Sequence, residues 1–145
     1  MLRGAIVGFG NVAQYGHWPA YQNNRDAQIV AVVDSTAERR AVARELSLAT
    51  CETVDELRGL AIDFVDICTP PAHHAAQIIE AIAAGWHVLC EKPLIVNSTG
   101  LTSRVYGASN RDLTGEIAAG AAEKNVAVVP VHNWKYAPII RRATE

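Results

Sequence analysis

The sequence predicts a doubly wound α/β domain: a parallel sheet with helices on both faces. Three observations carry this. Short apolar runs recur along the 145 residues, and within each run consecutive positions are apolar rather than alternating. Such runs suit strands buried on both faces. Stretches with helical signals separate them, as βαβ connections require. The first run, Leu2 to Val7, stops at a glycine and leads straight into a helical stretch.

The elements follow in order. Leu2 to Val7 is the first strand, and about Asn11 to Tyr21 is helical, with Pro19 expected to kink or divide it. Ile29 to Val33 is β-branched and ends at Asp34. Ser35-Thr36-Ala37-Glu38 reads as a capping box opening a helix to about Leu46, and Thr53-Val54-Asp55-Glu56 as a second before a short helix. Phe64 to Cys68 is a strand. Pro70 and Pro71 suit the first turn of the next helix, where a missing N–H costs nothing. There Ala75, Ile78, Ile79, Ile82 and Ala83 recur at helical spacing, and Gly85 ends the helix. Val88 to Cys90 and Val126 to Val131 are further strands, with a helix from about Asp112 to Lys124 before the last. The polar stretch 95–111 is too long for an ordinary βα connection.

Composition narrows the function. Half the residues are apolar and 19% are charged, which excludes a disordered chain. Thirteen Lys plus Arg against fifteen Asp plus Glu give a net charge of −2, no electrostatic bed for nucleic acid. No apolar run approaches a membrane span, and the Met1-Leu2-Arg3-Gly4 start is unlike a signal peptide, so a cytoplasmic protein is expected. Cys51, Cys68 and Cys90 have neither CxxC nor zinc spacing. They read as buried reduced thiols, and no metal site is expected.

Two motifs point to a ligand. Gly8-Phe9-Gly10-Asn11-Val12-Ala13 is a GxGxxA between the first strand and first helix. Gly8 permits a tight turn and Gly10 lets backbone approach a pyrophosphate. Ala13 allows close helix–strand packing, and the helix start offers free N–H groups. Asp34 ends the second strand 24 residues after Gly10, where a carboxylate accepts ribose hydroxyls of an adenosine. A helix-start acid favoured by the dipole is the plainer account of Asp34. Arg39 and Arg40 lie one turn on and could serve a 2′-phosphate, but NAD is expected over NADP.

A third set of residues is Thr69-Pro70-Pro71-Ala72-His73-His74, then Ala81-Ile82-Ala83-Ala84-Gly85-Trp86-His87-Val88-Leu89-Cys90-Glu91-Lys92-Pro93-Leu94. With these the sequence resembles the glucose–fructose oxidoreductase / inositol dehydrogenase / MocA family, whose pattern is GxGxxA, TPxxxH and AxxAGxHVxxEKPL. His17, Trp18-Pro19-Ala20 and the late Asn133-Trp134-Lys135-Tyr136-Ala137-Pro138, similar to NxRFxP, extend the match. The resemblance implies a Rossmann-type NAD(P)-binding domain of an oxidoreductase acting on a sugar, polyol or sugar derivative. It implies cofactor contacts from Gly8, Phe9, Gly10, Asn11, Val12, Asp34, Thr69, Pro70, His74, Glu91, Lys92 and Asn133. Lys92 would be catalytic, beside the nicotinamide ribose and substrate, with Glu91 and Pro93 holding its turn. Packing in the first helical turn is an equally good account of His74, and His73 has no assigned role.

The resemblance also sets the organisation. Residues 1–138 are expected to form the dinucleotide-binding domain, and 139–145 the start of a truncated second domain that would supply the substrate side and any homo-oligomer interface. The 95–111 loop could flank the substrate or be an insertion. Two other readings remain: a non-catalytic nucleotide-binding or sensor module complete as written, and a small methyltransferase using S-adenosylmethionine. Both accept GxGxxA and Asp34, but neither needs Glu91-Lys92-Pro93.

Overall fold

The computed structural model describes residues 1–95 and 110–131, with side chains of the last helix from Leu113 onward. The Asn133–Pro138 motif, most of the 95–111 loop and the expected second-domain start lie outside these residues.

Six strands form one parallel sheet: β1 (Leu2–Val7), β2 (Ala27–Val33), β3 (Ala49–Cys51), β4 (Phe64–Ile67), β5 (His87–Cys90) and β6 (Val128–Pro130), in the order β3-β2-β1-β4-β5-β6. The chain steps outward from β1 to β3, then crosses back to β4 and winds the other way. At such a reversal the flanking connections leave to opposite sides, and a crevice opens beyond the C-terminal ends of β1 and β4. β3 was not expected from sequence; Ala49-Thr50-Cys51 is too short and mixed to stand out. The final strand is shorter than the 126–131 expected.

Consecutive apolar residues divide between two cores. Ala5, Val7, Val65, Ile67, Val88 and Cys90 face one side, under α3 (His74–Ala84) and α4 (Asn110–Lys124). Ile6, Val32 and Phe64 face the other, with Phe9, Ala13 and Ala43. Each fully buried Ile or Val contributes about 1.5–3 kcal/mol over an exposed one. One irregularity lies in β2. Gly4 pairs with Ile29 and Ala5 with Ala31, so Val30 is an extra residue in that strand.

The helices show how local chemistry sets their ends. From Asn11 the chain is helical, but over Ala13–His17 it widens into a π-turn before α1 (Trp18–Gln22). Pro19 has no N–H to return to the Tyr15 carbonyl. The expected division at Pro19 therefore takes the form of a widened turn. α2 (Ala37–Glu45) is not opened by the Ser35–Glu38 capping box: its cap is Thr36, without a side-chain cap bond. Asp34 Oδ1 accepts the Thr36 N–H at 2.8 Å, a local turn ahead of the helix.

The second box forms in part. Glu56 reaches back to the Thr53 N–H at 3.1 Å, but the turn it opens, Asp55–Gly59, is 3₁₀. After a 3₁₀ turn at Pro71–His73, α3 buries His74, Ala75, Ile78, Ala81 and Ile82; Ala83 is exposed. The buried stripe is thus rotated from the expected one by the inward-facing His74. Gly85, at φ +81°, closes α3 in the left-handed conformation, and the Gly85 and Trp86 N–H groups bond back to Ile82 and Ala81 carbonyls. Gly120 has a packing reason: a Cβ there would lie 3.3 Å from Ile82 Cγ2, so its absence lets α4 sit close on α3. No helix among the described residues is long and apolar enough to cross a membrane.

Candidate functional site: a dinucleotide cleft and a pinned lysine turn

At the C-terminal ends of β1, β2 and β4 lies a cleft of about 820 Å³, the size of a small-molecule site. Gly8, Gly10, Asn11, Val12, Asp34, Thr69 and Pro70 all line it, so the first two motifs and the Thr-Pro pair meet as expected.

The two glycines differ. Gly8 has φ +88°, and a Cβ on it would fall 2.7 Å from Thr69 Cγ2 and 2.9 Å from the Thr69 nitrogen. The fold itself forbids a side chain there, because the ends of β1 and β4 touch. Around Gly10 a Cβ would meet only the Arg39 guanidinium, at 3.9 Å. Nothing in the protein requires a glycine at that point; the open space lies in the cleft, the cradle that a closely approaching pyrophosphate needs.

Phe9 contributes backbone alone. Its ring is fully buried with Ile6, Ala13 and Phe64, away from the cleft. Its N–H donates to Asp34 Oδ2 at 2.7 Å. Asp34 is 5% exposed, and Arg39 Nη1 stands 3.5 Å from Oδ2. Burial acts to raise the Asp34 carboxyl, but the Thr36 and Phe9 N–H bonds and Arg39 outweigh it and hold it below its ordinary value. The result is an ionised carboxylate at the cleft wall. Arg40 turns elsewhere, to the Asp34 carbonyl and Glu52.

The sequence reading missed a stripe on α3 and the turn before it. His73, Gln77 and Glu80 line the cleft. Their i, i+4, i+7 spacing was visible, one position off the buried stripe that starts at His74. Gln77 also accepts from Thr69 Oγ1 at 2.6 Å. Glu52 and Thr53, at the end of β3, line the opposite wall.

Glu91, Lys92 and Pro93 follow β5 and stand outside that lining, with Lys92 exposed. The Lys92–Pro93 peptide is cis. Two histidines hold this turn from opposite sides. Of the two accounts of His74, cofactor contact or packing in the first helical turn, the structure shows packing: the ring is fully buried, 2.9 Å from the Pro93 carbonyl through Nδ1 and 2.8 Å from the Thr69 carbonyl through Nε2. It ties the β4 and β5 loops together rather than reaching the cleft. On the other side, His17 Nδ1–H donates to Asp66 Oδ2 at 2.8 Å and Nε2–H to Glu91 Oε1 at 3.0 Å. Glu91 Oε2 accepts the Lys92 backbone N–H at 3.0 Å.

Asp66, fully buried in β4, also accepts from the Tyr21 hydroxyl at 2.9 Å. Carboxylates only accept, so both His17 nitrogens must donate, which makes the ring an imidazolium. Its pKa agrees: the Asp66 hydrogen bond, against the opposing effect of burial and with help from Glu91, lifts it from 6.5 to about 9. Burial and the Asp66 charge push the Tyr21 phenol up, keeping it a donor. The His17, Asp66 and Cys68 ligand atoms lie within 4.8 Å of one another, and hydrogen bonds to Asp66 link the histidine and the thiol. All three cysteines are free, with thiols pushed up chiefly by burial, Cys90 to about 12. They are poor nucleophiles near neutral pH.

Comparison with known proteins agrees with this geometry. Residues 2–114 match the model of the Gfo/Idh/MocA oxidoreductase family, described as an NAD-binding Rossmann fold. D-glucoside 3-dehydrogenase of Escherichia coli is 37% identical over 95 residues, 63% of this chain and 27% of that protein. UDP-N-acetylglucosamine 3-dehydrogenase of Acidithiobacillus ferrooxidans is 33% identical over 113 residues, 77% of this chain and 35% of that protein. Among solved structures, the 3-ketoreductase KijD10 of Actinomadura kijaniata, in complex with NADP and TDP-benzene, superposes with a TM-score of 0.82 at 22% identity, over 98% of this chain and 40% of its own. The chain thus spans well under half the length of these relatives. The strand order, the glycine cradle and the family match lead to one conclusion: the chain belongs to the Gfo/Idh/MocA oxidoreductases and is an NAD-binding Rossmann domain of that family.

Proposed function

We propose that this chain is the cofactor-holding part of an enzyme that moves hydride between a nicotinamide dinucleotide and a CH–OH group of a sugar, polyol or sugar derivative. The observation that carries the reading is the open Gly10 cradle at the winding reversal, beside an ionised Asp34. Gly10, Asn11 and Val12 receive the pyrophosphate through the N–H groups at the helix start, while the Gly8 and Phe9 N–H groups, given to the Val33 carbonyl and to Asp34, hold the loop that presents them. Asp34 receives the adenosine ribose, and Thr69 and Pro70 form the cofactor's seat at the end of β4. The bound nicotinamide supplies or accepts the hydride.

Lys92 is the catalytic residue in this reading. Its ammonium stabilises the oxygen that gains negative charge, a type of contact whose loss commonly costs about 10²–10³ in rate. Glu91 holds the Lys92 N–H, and Asn133 completes the cofactor side as its motif implies. The sugar dehydrogenases among the relatives support the substrate class.

NAD is preferred to NADP. A 2′-phosphate would face the Asp34 carboxylate, and one like-charge pair at 4 Å costs about 4 kcal/mol at an effective dielectric near 20. A third of that survives screening as about tenfold. Arg39, the exposed cation beside Asp34, is the group able to offset it. Titration of the chain with NADH and NADPH by calorimetry tests the cofactor half, with NADH expected about tenfold tighter; equal affinities would mean Arg39 has turned to the phosphate. The chain alone is expected to bind weakly and turn nothing over, since positioning and water exclusion at the nicotinamide need more protein than these residues supply. NADH absorbance with a panel of sugars and polyols checks this, and turnover by the 145-residue chain would refute it.

A further inference from the structure

We propose that His17 is a positioning residue for Lys92: as an imidazolium clamped between buried Asp66 and Glu91, it fixes the carboxylate that holds the Lys92 backbone N–H. The proposal rests on the reading of Lys92 as the residue at the nicotinamide end.

A continuous chain of bonds carries it. Asp66 is anchored in the middle of β4, fully buried, with Tyr21 from α1 as a second donor. His17 leaves the widened turn of the first helix and spans from Asp66 to Glu91. Glu91 uses its second oxygen on the Lys92 N–H. Every contact is between 2.8 and 3.0 Å. The Lys92 backbone is thereby referred, through two side chains, to the rigid sheet.

Charge makes the middle member necessary. The groups facing His17 are Asp66 and Cys68 at the end of β4, Glu91 beyond β5, and Tyr21 on α1. Without a cation, two carboxylates would face one another in a half-buried space, and such a pair repels. Glu91 is the partner able to leave, because it sits in a turn while Asp66 sits in a strand. Its departure would release the Lys92 N–H. The acid in the middle of an apolar strand and the histidine on the opposite element thus form a single device, which the family motifs do not join in sequence.

Two measurements test this. ADP reports the Gly8–Asp34 end alone, whereas NADH also reports the nicotinamide end, so the ratio of their affinities isolates the Lys92 region. Lys92→Ala and His17→Gln should each lower the NADH/ADP ratio about fivefold, the worth of one or two polar contacts, with ADP affinity unchanged. The double variant should lose no more than Lys92→Ala. An unchanged ratio in Lys92→Ala overturns the reading of Lys92. A fall in Lys92→Ala without one in His17→Gln overturns the positioning role alone. Equal losses of ADP and NADH affinity in His17→Gln would show a merely structural residue.

The second measurement uses the unmutated chain. In ¹⁵N NMR both His17 ring nitrogens should carry protons at pH 7. The Lys92 amide resonance should move as His17 titrates near pH 9, and Glu91→Gln should abolish that movement. A Lys92 amide indifferent to the His17 titration would overturn the proposal.

Discussion

Exchanging the two glycines of the cradle separates fold from function. At Gly8 an alanine adopts φ +88° and brings its Cβ to 2.7 Å from Thr69 Cγ2 and 2.9 Å from the Thr69 nitrogen. The left-handed conformation costs roughly 1–2 kcal/mol for a side-chain-bearing residue. The overlap adds about 1–3 kcal/mol, because backbone has to move. Together, Gly8→Ala should lose about 2–5 kcal/mol, and at roughly 3–4 °C per kcal/mol for a domain of this size the melting temperature should fall by about 6–20 °C. At Gly10 an added Cβ meets only the mobile end of Arg39, so Gly10→Val should change stability by no more than about 0.5 kcal/mol. The same valine occupies the space reserved for the pyrophosphate, and NADH affinity should fall by at least about a hundredfold, some 2.7 kcal/mol. Thermal melts paired with calorimetric titration distinguish the two. A folded Gly10→Val that binds NADH normally would refute the cradle, and a Gly8→Ala that melts like the parent would refute the steric argument.

Three further outcomes follow from the geometry. His17, raised from 6.5 to about 9 in the folded chain, stabilises it fully below pH 6.5 and loses that contribution as pH rises through about 9. The shift is about 3 kcal/mol at face value and ~1–2 kcal/mol after solvent screening, so melting should fall by several degrees between pH 7 and 10, less so in His17→Gln. Asp34→Asn removes the like charge at the 2′-position and should raise NADPH affinity relative to NADH about tenfold, read by paired titrations; no change would detach Asp34 from the ribose. Gly85→Ala, where nothing lies within 4 Å but φ is +81°, should cost about 1 kcal/mol from backbone strain alone, measurable by urea unfolding.

Most of the sheet was legible because its strands announce themselves. Leu2–Val7 and Phe64–Ile67 are mostly apolar, with consecutive rather than alternating apolar positions, and are followed by glycine or shortly by Thr-Pro. The winding order is less local, since it depends on which strands pair, but the GxGxxA and Asp34 spacing stood in for it. What escaped was chemistry between distant residues. The Ser35–Glu38 spacing does not say that the helix starts at Ala37 with Thr36 as its cap. Nothing near His74 says that two carbonyls, one of them 19 residues away, will turn it inward and rotate the α3 face. Asp66 was a signal left unread: a lone acid within an apolar strand run must find a partner when buried, and its partner His17 lay 49 residues back. In the site, the motif glycines, Asp34, Thr69 and Pro70 came together as expected. The polar stripe of His73, Gln77 and Glu80 is masked in the sequence by the apolar stripe one position away, which dominates the helical periodicity.

The bracing of the lysine turn has a consequence for how such a protein can be altered. Asp66, His17, Glu91, His74 and Thr69 all fall between positions 17 and 91, so the aim of Lys92 is set inside the nucleotide-holding part. Under the proposed function, whatever covers the substrate can then be exchanged, lengthened or reshaped without retuning the lysine. Such a division makes the chain an interchangeable tool head: one fixed reagent end, mated to different grips. Grafting onto another family member's remaining sequence would transplant the lysine's orientation whole, provided the junction falls after Pro93.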